Sequence, residues 1–195
     1  VALPSSFALC LIPLPLVSAL FEHGETSRQD ALAISYATAI YGLGLPAFMI
    51  QKLLQPLYFA REDTKTPLRF AVISMLLNAI LAITLLKVMG WIAVAVAASA
   101  SAWVTSILLW ISAKKFGRAA SALKTSTNRI KRTFFASLVM GIILWAASQN
   151  IYIAMQTSAE RVFFAIGLVF AGSTIYLVIV YMLQAFPKNS EKALN

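Results

Sequence analysis

The side chains with chemistry to offer crowd into one short stretch, Arg61-Glu-Asp-Thr-Lys-Thr-Pro-Leu-Arg69, where three cations and two anions lie between long apolar segments. Asp63 or Thr64 can cap a turn there, and Pro67 suits the opening of a helix, where a missing N–H costs nothing. Ion pairing and hydrogen bonding are the chemistry available. Two readings stay open: Arg61, Asp63, Thr66 and Pro67 form a cytoplasmic gate, or they only set topology and cap a tight hairpin. A second polar group, Asn78, sits near the centre of the apolar run that follows. An amide at that depth needs a partner, either a neighbouring helix or a ligand in a cavity. The one histidine, His23, lies in a polar link and is read as an exposed bystander. No nucleophile, base and orienting group fall at catalytic spacing, and no phosphate-binding glycine loop or metal-ligand cluster is present in the sequence. The chain is therefore read as a non-enzyme without cofactor or metal. Its single cysteine, Cys10, excludes an intrachain disulfide.

The segments that must hold these groups are apolar. Of 195 residues 60% are hydrophobic and 12% charged, against roughly 25% charged in soluble domains, and the mean hydropathy is +0.81. Several runs approach the roughly 20 residues that cross hydrocarbon. The expectation is an all-α polytopic membrane protein with six spans, near 3–21, 31–59, 69–88, 91–112, 133–153 and 161–185. The net charge of +9 could suggest nucleic acid. Seven of the sixteen cations, however, lie in one link, 114–132, without a recognition motif, so basic loops facing the cytoplasm are the simpler cause. That link also suits contact with anionic membrane lipids. Links 61–69 and 114–132 and the tail from 187 hold twelve cations; the opposite side holds Arg28, Lys87 and Arg161. This asymmetry puts the basic links and the C-terminus in the cytoplasm. Val1 opens directly into a span, so the chain is expected to be the C-terminal portion of something longer.

Backbone breakers mark where the spans should bend. Pro13 and Pro15 each remove a helical hydrogen bond in the first span, which should kink or unwind, around a cavity or simply for packing. Gly42, Gly44 and Pro46 should interrupt the second span, and Pro56 should interrupt it again. Lys87-Val-Met-Gly90 makes a tight turn. In the fourth span Ala95, Ser99, Ala102 and Ser106 form a small-residue stripe for close packing. Gly141 and a close-contact face of Gly167, Ala171 and Gly172 mark the last two spans, with Trp145 in the fifth. Bent helices with polar residues at depth are the parts of a secondary transporter.

The run Gly42-Leu-Gly-Leu-Pro-Ala-Phe48, then Lys52-Leu-Leu-Gln-Pro-Leu-Tyr-Phe-Ala-Arg-Glu-Asp-Thr-Lys-Thr-Pro67, Asn78, the Gly90 turn and Ser99-Ala-Ser-Ala-Trp-Val104 resemble the MurJ/MviN lipid II flippase family, of the multidrug/oligosaccharidyl-lipid/polysaccharide exporter superfamily. The resemblance is sharp over 42–104; the last two spans match by hydropathy and position. It implies the last six spans of a fourteen-helix, two-lobed transporter: lobe helices in 1–113, a basic cytoplasmic linker in 114–132, two additional helices in 133–186 and a cytoplasmic tail in 187–195. It implies movement of an undecaprenyl-linked peptidoglycan precursor to the external leaflet of the bacterial inner membrane by alternating access. The head group would meet cavity arginines of an upstream N-terminal lobe. Gly141, Trp145, Gly167 and Gly172 would border a groove for the lipid tail, and Pro13, Pro15, Gly42, Gly44, Pro46 and Asn78 a cavity or hinge. Some family members bind sodium through an Asn, an acid one turn later and a hydroxyl from the next span. Asn78 resembles the first, but Ala82 and Ala98 replace the others, so sodium is not expected. The competing readings are an exporter of another lipid-linked glycan or amphiphile, and a non-transporting assembly protein with a sealed interior.

Overall fold

The structure is a computed structural model that describes residues 2–22, 26–116, 127–152 and 158–182. His23, residues 117–126 of the basic link, residues 153–157 of the last loop, and the tail from 187 lie outside the described residues. The chain is all-α: α1 (Ala2–Leu11), α2 (Pro13–Phe21), α3 (Arg28–Phe59), α4 (Lys65–Met89), α5 (Ile92–Ala113), a short 3-10 turn (Lys114–Phe116), α6 (Thr127–Tyr152) and α7 (Ser158–Met182). Five of these are long and apolar enough to cross a membrane, or six if α1 and α2 are one bent span.

The first span breaks where its prolines predict. Pro13 opens α2 and Pro15 follows two residues later, so neither donates back to α1, and the two helices diverge by 82°. The second span does not break, which corrects the expected interruption at Gly42, Gly44, Pro46 and Pro56: α3 runs as one helix through both prolines. Its 32 residues make it about 48 Å long, more than the roughly 30 Å of hydrocarbon. The physical reason lies on a different helix. Residue 46 would normally donate to the Gly42 carbonyl, and Pro46 has no N–H; the Ser6 hydroxyl of α1 donates to that oxygen instead, at 2.7 Å. The polar link before α3 ends in a capping box. Ser27 accepts from the Asp30 N–H while Asp30 accepts from the Ser27 N–H, closing the helix start on itself.

The neighbouring carbonyls of α3 are also engaged. Cys10 Sγ donates to Ala39, Ser99 to Ile40, the Trp103 indole to Leu43 and Ser106 to Ala47. The α5 donors recur every three to four residues, so the small-residue stripe of α5 is a zipper along α3. Ala95, Ser99, Ala102 and Ser106 are all buried. Two helices can approach this closely because Gly44 carries no side chain: a Cβ there would stand 2.9 Å from Ser99 Oγ and 3.3 Å from Ser99 Cα. α5 is the middle of a trio, with α3 on one side and α4 on the other. α4 turns into α5 at Gly90, whose φ of +57° is a conformation that side chains disfavour. α1 bridges α3 to α6, and α2 folds back to reach α7.

Without a hydrophobic drive between helices in lipid, each interhelical hydrogen bond contributes about 0.6 kcal/mol, up to about 1.7. Gly44→Ala should therefore displace Ser99 from the Ile40 carbonyl and lower stability by about 1–2 kcal/mol in detergent unfolding. Ser99→Gly in the same chain should recover part of the loss; an unchanged Gly44→Ala midpoint would rule out the tight crossing.

Candidate functional site

Two concave features lie on this frame. The first is a polar cleft of about 350 Å³ between α3, α4 and α5. Gln51 and Gln55 line it from α3, Ser74 and Asn78 from α4, and Ser101 and Thr105 from α5, with Phe48 and Met75 as apolar walls. No lining residue is ionisable, so the cleft offers hydrogen bonds rather than charge. Much of that capacity is spent internally: Gln51 Nε2 donates to the Ala102 carbonyl, and the Ser74 hydroxyl to that of Ser101. Asn78 thus faces a cavity, one of the two places an amide at depth can go. Ala98 lines the cleft as well, where a hydroxyl would be needed for the sodium arrangement.

Below the cleft, α3 ends in the charged hairpin. Its core is Tyr58, fully buried, with its hydroxyl donating to the Leu109 carbonyl at 2.7 Å. Leu54, Leu109 and Ala113 pack around it, with Phe70 reaching in from α4. The Glu62 N–H bonds to the Phe59 carbonyl and the Asp63 N–H to that of Tyr58. This pair of bonds is a Schellman closure, whose left-handed position is usually glycine. Here it is Glu62, at φ +59°, a backbone that costs a side-chain-bearing residue about 1–2 kcal/mol.

Asp63 then starts α4. Its Oδ1 accepts from the Thr66 N–H at 3.0 Å, while Thr64 makes no side-chain cap; of the two expected caps, Asp63 is the one used. Pro67 is buried in the first turn and lines the cleft mouth, so the gate candidates and the cleft are continuous through it. Arg61 and Lys65 are exposed. Sequence reasoning missed Tyr58 and Glu62: nothing local distinguishes a tyrosine that will reach α5, and a left-handed turn without glycine carries no residue signal.

The second feature is an apolar groove of about 460 Å³ between α1 and α2 on one side and α6 and α7 on the other. Its floor is the cluster of Ile12, Met140, Leu144 and Leu168. Gly172 lines it, and a Cβ there would stand 2.9 Å from Leu144 Cδ1. The other three groove candidates are placed differently. Gly141 is buried under α1, where a Cβ would meet Leu11 Cδ1 at 2.5 Å; it is a helix-crossing glycine. Trp145 is half exposed and outside the lining. Gly167, expected on a close-contact face with Ala171, is exposed with nothing within 4 Å of a Cβ. Helix periodicity accounts for it: Gly172 faces α6, and Gly167 is five residues away on the opposite side. Pro13 and Pro15 bend the chain at one end of this groove. Gly42 lies beneath α1, 3.0 Å from Cys10 Sγ by the same construction. Among the described residues, no group of three or more His, Cys, Asp or Glu gathers to hold a metal ion.

The Thr66 hydroxyl first, then its backbone N–H, with a smaller contribution from the charge of Arg69, holds the Asp63 carboxyl below the usual aspartate value, about 3.9. A lowered folded value means the cap is fully formed above that pH and is lost as pH falls through the folded value. NMR titration should place the Asp63 midpoint below about 3.9, and Thr66→Val should raise it. A midpoint at or above the ordinary value would rule out the cap.

Comparison with known proteins fits this geometry. The family described as Lipid II flippase MurJ matches residues 1–170. The chain is 34% identical over 182 residues to the probable lipid II flippase MurJ of Rhizobium meliloti (strain 1021), covering 92% of this chain and 34% of that protein. It is 29% identical over 191 residues to the probable lipid II flippase MurJ of Vibrio cholerae serotype O1, covering 98% and 36%. A solved structure titled Lipid II flippase MurJ, inward closed conformation, superposes with a TM-score of 0.73 at 26% identity, over 93% of this chain and 36% of that one. The chain spans about a third of the length of the curated relatives it matches. With the family matched over most of its length and the fold shared, this chain belongs to the MurJ lipid II flippase family.

Proposed function

We propose that this chain supplies the tail-handling end of a carrier that moves lipid II from the cytoplasmic to the external leaflet of the bacterial inner membrane. The observation that carries the reading is the groove between α1, α2, α6 and α7. It is long, apolar and uncharged, which is what an isoprenoid chain requires and what a diphosphate or glycan does not. A pyrophosphate-bearing head group needs compensating cations at depth, and both the groove and the cleft lack them. The head group therefore belongs to an upstream N-terminal lobe, in keeping with relatives about three times this length. The reaction makes and breaks no covalent bond.

In this reading 1–113 are helices of the C-terminal lobe and 133–186 the two additional helices, together the last six of fourteen crossings, with α1 and α2 as one bent crossing. The twelve cations of 61–69, 114–132 and the tail put those segments in the cytoplasm. The strained Arg61–Pro67 turn then lies at the cytoplasmic mouth of the polar cleft, where Arg61, Asp63 and Thr66 form a closing contact between lobes. Asn78 and the cleft give α4 and α5 a wettable interior surface as access alternates. The groove and cleft support a transporter over a sealed assembly protein.

Two glycines on the same helix test the assignment. Gly172→Trp should fill the groove and abolish complementation of a flippase-depleted strain at unchanged membrane abundance. Gly167→Trp, on the outward face, should complement fully. Equal activity of the two variants, or loss only in Gly167→Trp, would reject the groove as the tail site.

A further inference from the structure

Beyond the apolar lining of the groove, α2 and α7 are joined by a charge pair. Arg161 Nη1 lies 2.6 Å from Glu22 Oε1, with both side chains largely withdrawn from solvent, at 14% and 13% exposure. Glu22 caps the C-terminus of α2 and Arg161 sits in the first turn of α7. Each charge is at the wrong end of its own helix: an anion meets the negative end of the α2 dipole, and a cation meets the positive end of the α7 dipole. Neither placement serves its own helix, so the two are explained by each other. The second Glu22 oxygen, Oε2, is buried and has no hydrogen-bond partner among the described residues, so the carboxylate has given up water without full repayment. A pair held on such terms fixes position more than it adds stability.

What it fixes follows from the path of the chain. After the 82° turn at Ile12, α2 packs on α7, with Glu22 at its end reaching Arg161 in the first turn of α7. Leu16 and Phe164 pack there on the Ile12–Leu168 cluster. The groove lining runs from Pro4 on α1 to Leu16 on α2 and from Leu177 to Leu168 on α7; Glu22 and Arg161 lie six and seven residues past its last members on α2 and α7, where the two helices are joined. We infer that the Glu22–Arg161 pair is an electrostatic staple that holds α2 on α7, closes this end of the groove, and so sets how much of an apolar chain it accommodates. Glu22 and Arg161 are thus positioning residues. The chain-length consequence rests on the tail-groove reading; the staple itself does not.

The test uses the full-length protein in native membranes, cysteine-free apart from a Leu16→Cys/Phe164→Cys pair that reports the α2–α7 contact through a short bifunctional thiol reagent. Cross-linking should fall by about tenfold in Glu22→Gln and in Arg161→Gln, and return in the charge-swapped Glu22→Arg/Arg161→Glu protein. A second pair, Phe7→Cys/Phe134→Cys, reports the edge-to-face contact of α1 with α6 and should stay unchanged throughout. Unchanged α2–α7 yield in the single variants, no recovery in the swap, or loss of both pairs together would overturn a local staple. A polyprenyl phosphate with a photoreactive terminal isoprene supplies the second arm. It should label Ile12 and Leu168 in the parent and extend to Val17 in the neutralised variants. Labelling confined to Ile12 and Leu168 in both would overturn the end stop. No labelling of the parent would count against the tail groove itself, and the cross-linking arm would then decide the staple alone.

Discussion

A carbonyl without a donor is expensive in hydrocarbon, and each of the two prolines inside α3, Pro46 and Pro56, leaves one. Pro46 cannot donate to the Gly42 oxygen, and water is not at hand. Ser6 supplies the missing bond from α1, which ties the course of α3 past Pro46 to the seating of α1. The dependence runs both ways: α1 is short, broken at Ile12 and held on α3 by Ser6 and Cys10. Because α1 also packs on α6, the satisfaction of a single backbone oxygen fixes where one wall of the apolar groove stands. On its other side α3 is zipped to α5 by Ser99, Trp103 and Ser106. One long helix therefore registers both the polar cleft and the groove, and a shift of α3 would be felt in each.

This arrangement divides labour by solvation. The cleft gathers amides and hydroxyls with no charge among them, and the groove is lined mainly by aliphatic side chains, with Ser5, Ser173 and Tyr176 its polar members. Charge gathers near the ends of helices, as in the Glu62 turn with Arg61 and Asp63 and the pair of Glu22 with Arg161, while Lys52 sits two turns inside α3. An amphiphile with a long apolar tail would find surfaces matched to that tail in the groove, while no cation lines either concavity; the relatives this chain matches are about three times its length.

Features set by local chemistry were legible in the sequence. The break at Pro13 and Pro15 needs only their own missing donors, the Gly90 turn its own missing side chain, and the α5 stripe its own spacing. The cost of an amide at depth required Asn78 to face a neighbouring helix or a cavity and left open which; it lines the cleft. What the sequence could not show depends on partners far along the chain. The Gly42 carbonyl left by Pro46 is met by Ser6, and the Tyr58 hydroxyl in the hairpin core by the Leu109 carbonyl. Gly141, Gly167 and Gly172 are alike as residues, yet one crosses α1, one faces outward and one lines the groove, because composition does not say which side of a helix is covered. Likewise Glu22 and Arg161 read as interfacial charges until α2 folds back.

The most direct measurement is a density map of the full-length protein in lipid nanodiscs with a polyprenyl diphosphate-linked glycan bound. The account predicts elongated tail density between α1 and α7, against Leu144, Leu168 and Gly172, with the diphosphate beyond residues 1–195. Tail density along the outer face of α4 or α7 with the groove empty, or a diphosphate seated in the apolar groove, would contradict it.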